Sequence, residues 1–365
     1  MNEGKTTFIK DLETGQEVEA PFLVLALGQG RTSRGGVYLN VELADRSGRM
    51  QAKVWDNAEA LAPQLAEGSV SLISGYVDNY RGARQFIIRQ AWILAAEEIF
   101  WPDYLKAAAR PMAEMKGELL ALAESIVDPD FKRLVSAALS SPEVGDKFWL
   151  MPAAKSLHHA YLHGLLEHSL SVGRLAAKVA GHYPKLNGDL LIAGAILHDL
   201  GKVWEFSPPP KVDYTTIGRL KGHLTMGSEF LAGIAAGLPD FPREKIDLLQ
   251  HLILSHHGEP EFGAPVKPQL LEALALHHLD NLDAKIEAID SFIESDSDSD
   301  GWSGYHRLFG GYFRRTPNFP VDPASFEPQE PEQPWPPTEE ESRPDGPARP
   351  EEPEDEDASD ERLLF

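Results

Sequence analysis

Apolar and β-branched runs bounded by polar turns fill the first hundred positions. Residues 22–30 (FLVLALGQG), 36–45 (GVYLNVELAD), 49–56 (RMQAKVWD), 69–80 (SVSLISGYVDNY) and 84–94 (RQFIIRQAWIL) each read as a strand, with RTSRGG and DRSG as turns. Residues 58–65 fit one short helix between the third and fourth strands. Five strands with a helix in that place is the order of an OB-fold barrel, whose open face takes single-stranded nucleic acid. The barrel is expected over residues 8–96. Its candidate groove residues are Arg31, Arg34, Tyr38, Trp55, Tyr80, Arg81, Arg84 and Phe86, arginines for phosphates and rings for bases.

Past residue 97 the apolar period changes from two to between three and four. Residues 99–115 and 117–126 are rich in Ala, Leu, Glu and Lys, and Pro111, Pro129 and Pro142 break the run, so 97–150 reads as a helical connector. From His158 to about Ile293 helix follows helix, with stops at Gly181, Pro184, the SPPP of 207–210, Pro239 and Gly258. An all-α domain is expected over residues 151–295. An aromatic and basic extension follows at 296–320. The Pro/acidic tail at 321–365 lacks the apolar surface to fold and is expected to be disordered. The fold class is therefore multidomain: an N-terminal β-barrel, an all-α domain and a tail.

Composition changes this picture in three ways. Cysteine is absent, so disulfides and thiolate metal sites are excluded and any metal must be held by His, Asp or Glu. The net charge of −23 would argue against a nucleic-acid partner. Residues 321–365, however, hold 16 acidic and 3 basic residues, while residues 1–95 hold 11 and 10. The acidity belongs mainly to the tail and leaves the barrel near neutral. The opening MNEGKTTFIKDLETGQEVEA has no basic start followed by an apolar run, which predicts no secretory signal. The most apolar stretch, LLIAGAILHDLG, is too short and polar to span a bilayer. A cytoplasmic protein with no membrane partner is expected.

Twelve of the thirteen histidines lie between residues 158 and 278. Seven positions stand out in order: His168, His198, Asp199, His223, His256, His257 and Asp280. Neutral imidazole and carboxylate suit a divalent first-row metal: Mn2+ first, with Co2+, Fe2+, Ni2+ or Zn2+ as alternatives. Asp199 follows His198 at a helix end, so both side chains can aim at one cavity, and the two oxygens of Asp199 could bridge two ions. Two ions roughly 3.5–4 Å apart clamp both oxygens of a phosphoester displacement and make water a nucleophile near neutral pH. Lys202, three residues on in HDLGK, offers a cation to a substrate phosphate. A lone helical histidine is more often a surface or core residue than a ligand; only the whole set points to a metal.

The order H…HD…H…HH…D resembles the HD-domain metal phosphohydrolase superfamily. GLLEHSLSV at 164–172, AILHDLGKVWEF at 195–206, GHLTMGSEF at 222–230, LILSHHGEPEFG at 252–263 and ALHHLDNLDAKI at 275–286 are similar to the YhaM-type 3′→5′ exoribonucleases within it. That group also carries an OB-fold ahead of the HD domain. The resemblance covers roughly residues 8–315 and leaves the tail unmatched. It implies one metal site made by His168, His198, Asp199 and Asp280, and a second made by His223, His256 and His257 sharing Asp199. It favours Asp280 over Asp283 as the first Asp of a D-x-x-D-A run, puts Lys202 on the scissile phosphate, and sets His158, His159 and Tyr161 along the substrate channel. His163 departs from the family, where a small residue is expected before GLLEH.

The function implied is a metal-dependent 3′→5′ exonuclease on single-stranded RNA, with single-stranded DNA as a further candidate substrate. Water activated by the metals would attack the terminal phosphodiester and release nucleoside 5′-monophosphates. A nucleotide or cyclic-dinucleotide phosphohydrolase is the alternative among enzymes. A single-strand-binding protein with a decayed helical domain is the alternative outside them, and the intact ligand set speaks against it.

Overall fold

The computed structural model of the chain describes residues 5–33, 35–155, 158–296 and 300–316. Arg34 and the tail at 321–365 lie outside the described residues. Five strands, β1 (Glu17–Arg31), β2 (Val37–Asp45), β3 (Gly48–Val54), β4 (Val70–Tyr80) and β5 (Ala83–Ile93), close into a barrel in the order β1-β2-β3-β5-β4. Every neighbouring pair is antiparallel except β3 with β5, where Ala52 faces Phe86 and Lys53 faces Ile87. Strand alternation sends Phe22, Val24, Leu39, Val41, Leu43, Ile73, Val77, Phe86 and Ile88 into one apolar core. The short helix α1 (Ala58–Leu61) and the 3-10 turn Ala62–Leu65 cover that core through Leu65.

Strand β1 begins five residues before the apolar run that marks it in the sequence. Its first half pairs with β4 and its second half with β2, with a register shift between Val24 and Ala26. Sheet pairing holds the charged Glu17 and Glu19 in extended form, which an apolar pattern does not reveal.

The connector departs from expectation. Residues 99–111, predicted helical, form only the 3-10 turn Trp101–Asp103 before α2 (Met112–Glu124) begins. Tyr104 is buried with Leu23, Ala44 and Val70, and Ile99, Trp101 and Leu105 pack alongside. Covering the barrel with four large side chains outweighs the weak helix propensity of this stretch, and Pro102 and Pro111 deny it backbone donors.

Helices α3 (Pro129–Ser140), α4 (Gly145–Leu150), α5 (Gly164–His182), α6 (Gly188–Leu197), α7 (Lys202–Glu205), α8 (Thr216–Gly237), α9 (Arg243–Ser255) and α10 (Leu271–Asp296) follow. Residues 190–197 of α6 are buried without exception, so α6 is the axis of this domain. A helix apolar on every face must be surrounded. Helices α2, α5, α9 and α10 contribute Leu119, Leu166, Leu252 and Leu276 to the same core. Among the described residues no helix is long and apolar enough to cross a membrane.

The chain divides into two compact units, Met1–Ala288 and Ile289–Phe365, and the barrel and the helical domain both fall in the first. In the second, bridges Trp302–Arg314 and His306–Gly311 make a small hairpin of the aromatic extension. The His306 ring packs there among Phe292, Phe309 and Phe313.

Candidate metal centre

Helix α6 ends at Leu197, and its C-cap is His198. The chain turns at once: Leu200 N donates to Leu197 O at 3.1 Å and Lys202 N to Asp199 O at 3.0 Å. His198 and Asp199 thus leave the buried end of a central helix into one cavity. Gly201 lets α8 come close to this turn, because a Cβ there would lie 2.0 Å from the carbonyl oxygen of His223. His223 follows a kink in α8 at Gly222, His256 and His257 follow the end of α9, His168 lies on α5, and Asp280 on α10. All seven residues are buried, none more than 7% exposed.

The donors fall into two groups that meet at Asp199. Around its Oδ2 stand His168 Nε2 and His198 Nε2, each at 3.4 Å. Asp280 Oδ1 lies 3.0 Å from His168 Nε2 and 3.6 Å from His198 Nε2. Around Oδ1 stand His223 Nε2 at 3.4 Å and His256 Nε2 at 3.8 Å. His257 joins these two histidines in a cluster whose ligand atoms lie within 4.8 Å of one another. Two donors each about 2.0–2.2 Å from one tetrahedral ion stand roughly 3.3–3.6 Å apart, and most of these spacings lie close to that.

Asp199 Oδ1, His223 Nε2 and His256 Nε2 have no hydrogen-bond partner although buried. A buried polar atom left unsatisfied costs about 1–3 kcal/mol. Three such atoms converging on one point are a poor core and a good cation site. The chemistry of the donors agrees, since nitrogen and carboxylate oxygen without thiolate fit a divalent first-row metal.

Ring orientation agrees as well. An imidazole that gives Nε2 to a metal carries its proton on Nδ1. His198 Nδ1 lies 2.8 Å from Ala195 O, His256 Nδ1 2.8 Å from Ile253 O and His257 Nδ1 2.9 Å from Phe262 O. His168 Nδ1 faces Asp283 Oδ2 at 2.8 Å, and His223 Nδ1 faces Glu205 Oε1 at 3.1 Å. All five rings are held by Nδ1 with Nε2 turned to the cavity. Glu205 carries no sequence signal of its own. Asp283 does carry one, since a carboxylate three residues after Asp280 must share its helix face.

Burial and charge set the protonation of the group. Burial opposes every ion here, yet Lys202, His198 and His223 hold Asp199 well below the carboxylate range. Burial is again opposed by Asp199, which raises Lys202; the two meet at 2.7 Å. Burial drives His256 well below its ordinary value, and burial with neighbouring His223 lowers His257 to about 4. Both are neutral near pH 7, as a ligand must be.

Of the expected channel residues, His158 is buried with its Nδ1 unpartnered and its ring 6.0 Å from that of His168. Burial and then Lys202 lower its pKa to about 3. His159 is buried and Tyr161 half-buried, and both are held by hydrogen bonds. Both ring nitrogens of His159 are engaged, Nδ1 with Tyr161 OH at 2.9 Å and Nε2 with Asp283 Oδ2 at 3.1 Å. Tyr161 OH donates to Glu167 at 2.8 Å. His163 has φ 68°, a left-handed backbone that accounts for the small residue expected there. Its ring is held 2.7 Å from Trp149 O.

On the barrel, Tyr38 and Trp55 pack with centroids 5.0 Å apart and planes tilted by 34°, and the Lys53 ammonium stands 5.0 Å over Tyr38. Gly30 faces Tyr38 across the strands, and a Cβ on it would fall 2.4 Å from the ring. Trp55 is 47% and Tyr80 56% exposed, with Arg81 over the Tyr80 ring at 5.2 Å. Arg31 is exposed, and Arg84 donates to Leu12 O. Phe86 does not belong in the groove. It is fully buried against Phe22, because its place on β5 points into the barrel. Lys53 and Gly30 were missed, since only the pairing of β1 with β2 and the approach of Lys53 bring them to Tyr38.

A closed five-stranded barrel followed by a helical domain with a buried His/Asp cavity defines an HD-type metal phosphohydrolase with an appended OB-fold. Comparison agrees: residues 165–285 match the HD domain, and residues 28–94 match an OB-fold nucleic acid binding domain. A 3′-5′ exoribonuclease YhaM from Bacillus licheniformis is 36% identical over 283 residues, covering 77% of this chain and 89% of its own. The protein of that name from Bacillus subtilis strain 168 gives the same identity and coverage. One from Listeria monocytogenes is 35% identical over 285 residues, 78% of this chain and 90% of its own. The chain belongs to the YhaM 3′-5′ exoribonuclease family.

Proposed function

We propose that the chain is a divalent-metal-dependent 3′→5′ exoribonuclease that shortens single-stranded RNA to nucleoside 5′-monophosphates and also accepts single-stranded DNA. The observation that carries this is Asp199, whose Oδ2 faces His168 and His198 while its Oδ1 faces His223 and His256. Two ions, Mn2+ before Co2+, Fe2+, Ni2+ or Zn2+, fit such a divided donor set. Bound there, they would supply charge stabilisation at the phosphodiester and acidify the attacking water.

The protein's own part is positioning and charge. Lys202 offers its ammonium to the scissile phosphate from beside Asp199. His158 has a buried, unpartnered nitrogen to offer the terminal nucleotide. Tyr38 and Trp55 stack on bases and Lys53, Arg31 and Arg81 meet phosphates, so the barrel feeds a strand rather than a free nucleotide. The cytoplasm is where such a substrate is met.

The test uses EDTA-stripped protein and 5′-labelled single-stranded RNA. Restored Mn2+ should yield a descending ladder with mononucleotide released, and Asp199→Ala should yield none. An intact oligomer beside hydrolysed nucleotides would replace this reading with a nucleotide phosphohydrolase. Binding without turnover under any metal would leave only a binding protein.

A further inference from the structure

We propose that Asp283 and Glu205 are positioning residues, one carboxylate behind each half of the metal centre. This rests on the division of the donors into two groups at Asp199. Of the five histidines, His198, His256 and His257 turn Nδ1 to neutral backbone carbonyls. Only His168 and His223 turn it to carboxylates, and they stand in different groups. A carboxylate behind an imidazole fixes its tautomer and ring angle and makes Nε2 a stronger donor. A peptide carbonyl fixes the ring with less effect on basicity, having no net charge. Each group therefore has one strengthened histidine.

Both carboxylates are themselves held. Asp283 accepts from His168 and His159, and its Oδ1 accepts the hydroxyl of Ser171. With both oxygens engaged on the Nδ1 side of His168, it is a support rather than a ligand. Asp280 and Asp283 thus divide the two faces of one imidazole, Asp280 beside Nε2 and Asp283 at Nδ1. Glu205 closes α7 and also accepts the backbone N–H of His223 at 3.1 Å. Its own carbonyl accepts from Thr215 N at 2.9 Å. Side chain and backbone of His223, just past the kink at Gly222, are thereby fixed by one residue.

The experiment titrates metal-free, full-length protein with Mn2+ and reads free Mn2+ by electron paramagnetic resonance. Asp283→Asn and Glu205→Gln keep shape and remove charge. Each should weaken one of two binding steps about 10–100-fold and spare the other. In a His257→Ala background, Asp283→Asn should still weaken the remaining step, and Glu205→Gln should add nothing. Glu167→Gln removes a charge that reaches His168 only through His159 and Asp283, and its isotherm should stay near wild type; a loss equal to that of Asp283→Asn would reduce the effect to general charge and overturn the proposal. Folded Asp283→Asn and Glu205→Gln with wild-type isotherms would overturn it outright. A single binding step in the wild type would refute the two-ion reading alone, and weakening of that step by Asp283→Asn would still support the role of Asp283. Should Asp283→Asn not fold, Ser171→Ala frees one oxygen of the carboxylate and should weaken the same step several-fold. An unchanged isotherm there would overturn the Asp283 half.

Discussion

Lys202 and Asp199 form a buried ion pair at 2.7 Å, in a place where pairing alone is a weak source of stability. On the proposed function, the further use of a lysine there is to meet the substrate phosphate. Lys202→Ala should lower kcat about 10²-fold, the usual loss when one preorganised charge is removed. Mn2+ should bind at least as tightly as in the wild type, because Asp199 loses a competitor. Parallel losses of Mn2+ affinity and kcat would instead make Lys202 part of the metal site. At this scale the seven clustered residues are legible as a set of candidate donors, because only these residue types hold a metal without cysteine. His158 and His159 were not separable, since adjacent residues carry no sign of which ring turns to the cavity and which to Asp283. His163 was legible only as an anomaly, and its reason is the backbone angle.

Helix α3 shows how far local rules reach. Asp128 caps it, accepting from Asp130 N at 2.9 Å and Phe131 N at 3.2 Å, with Pro129 in the first turn. The Lys245 ammonium on α9 reaches the same carboxylate at 2.6 Å. Burial pushes the Asp128 pKa up, but Lys245 and the two backbone donors outweigh it and leave it below the ordinary 3.8. A folded-state value below the unfolded one stabilises fully above pH 3.8 and is lost as pH falls through the folded value. Asp128→Ala should therefore cost about 1 kcal/mol in urea unfolding at pH 7. The gap to wild type should narrow at pH 3, and a gap of constant size would rule out ionisation as its source. The Asp-Pro start of α3 is written in the sequence. Residues 99–111 are the contrary case: their helix-forming composition yields to the burial of Tyr104 and its neighbours against the barrel.

On the scale of the whole molecule, one substitution tests the proposed division of tasks between the barrel and the helical domain. Trp55→Ala should weaken single-stranded RNA binding by about 1–3 kcal/mol, one stacking platform, measured at fixed salt. Hydrolysis of a small phosphodiester such as bis-p-nitrophenyl phosphate should be unaffected. Phe86→Ala should instead cost about 3–5 kcal/mol of stability by opening a cavity beside Phe22. An RNA-binding loss from Phe86→Ala without a loss of stability would return Phe86 to the groove. By itself the sequence determined the domain order, the metal-binding residue types and the helix that ends in His198 and Asp199, because periodicity and donor chemistry are properties of residues near one another in the chain. Tertiary structure alone decided which oxygen of Asp199 serves which histidines, that Asp283 and Glu205 stand behind the rings, and that Phe86 points inward. Those facts depend on where separate helices and strands meet, and a carboxylate takes its role from what lies within about 3 Å of it.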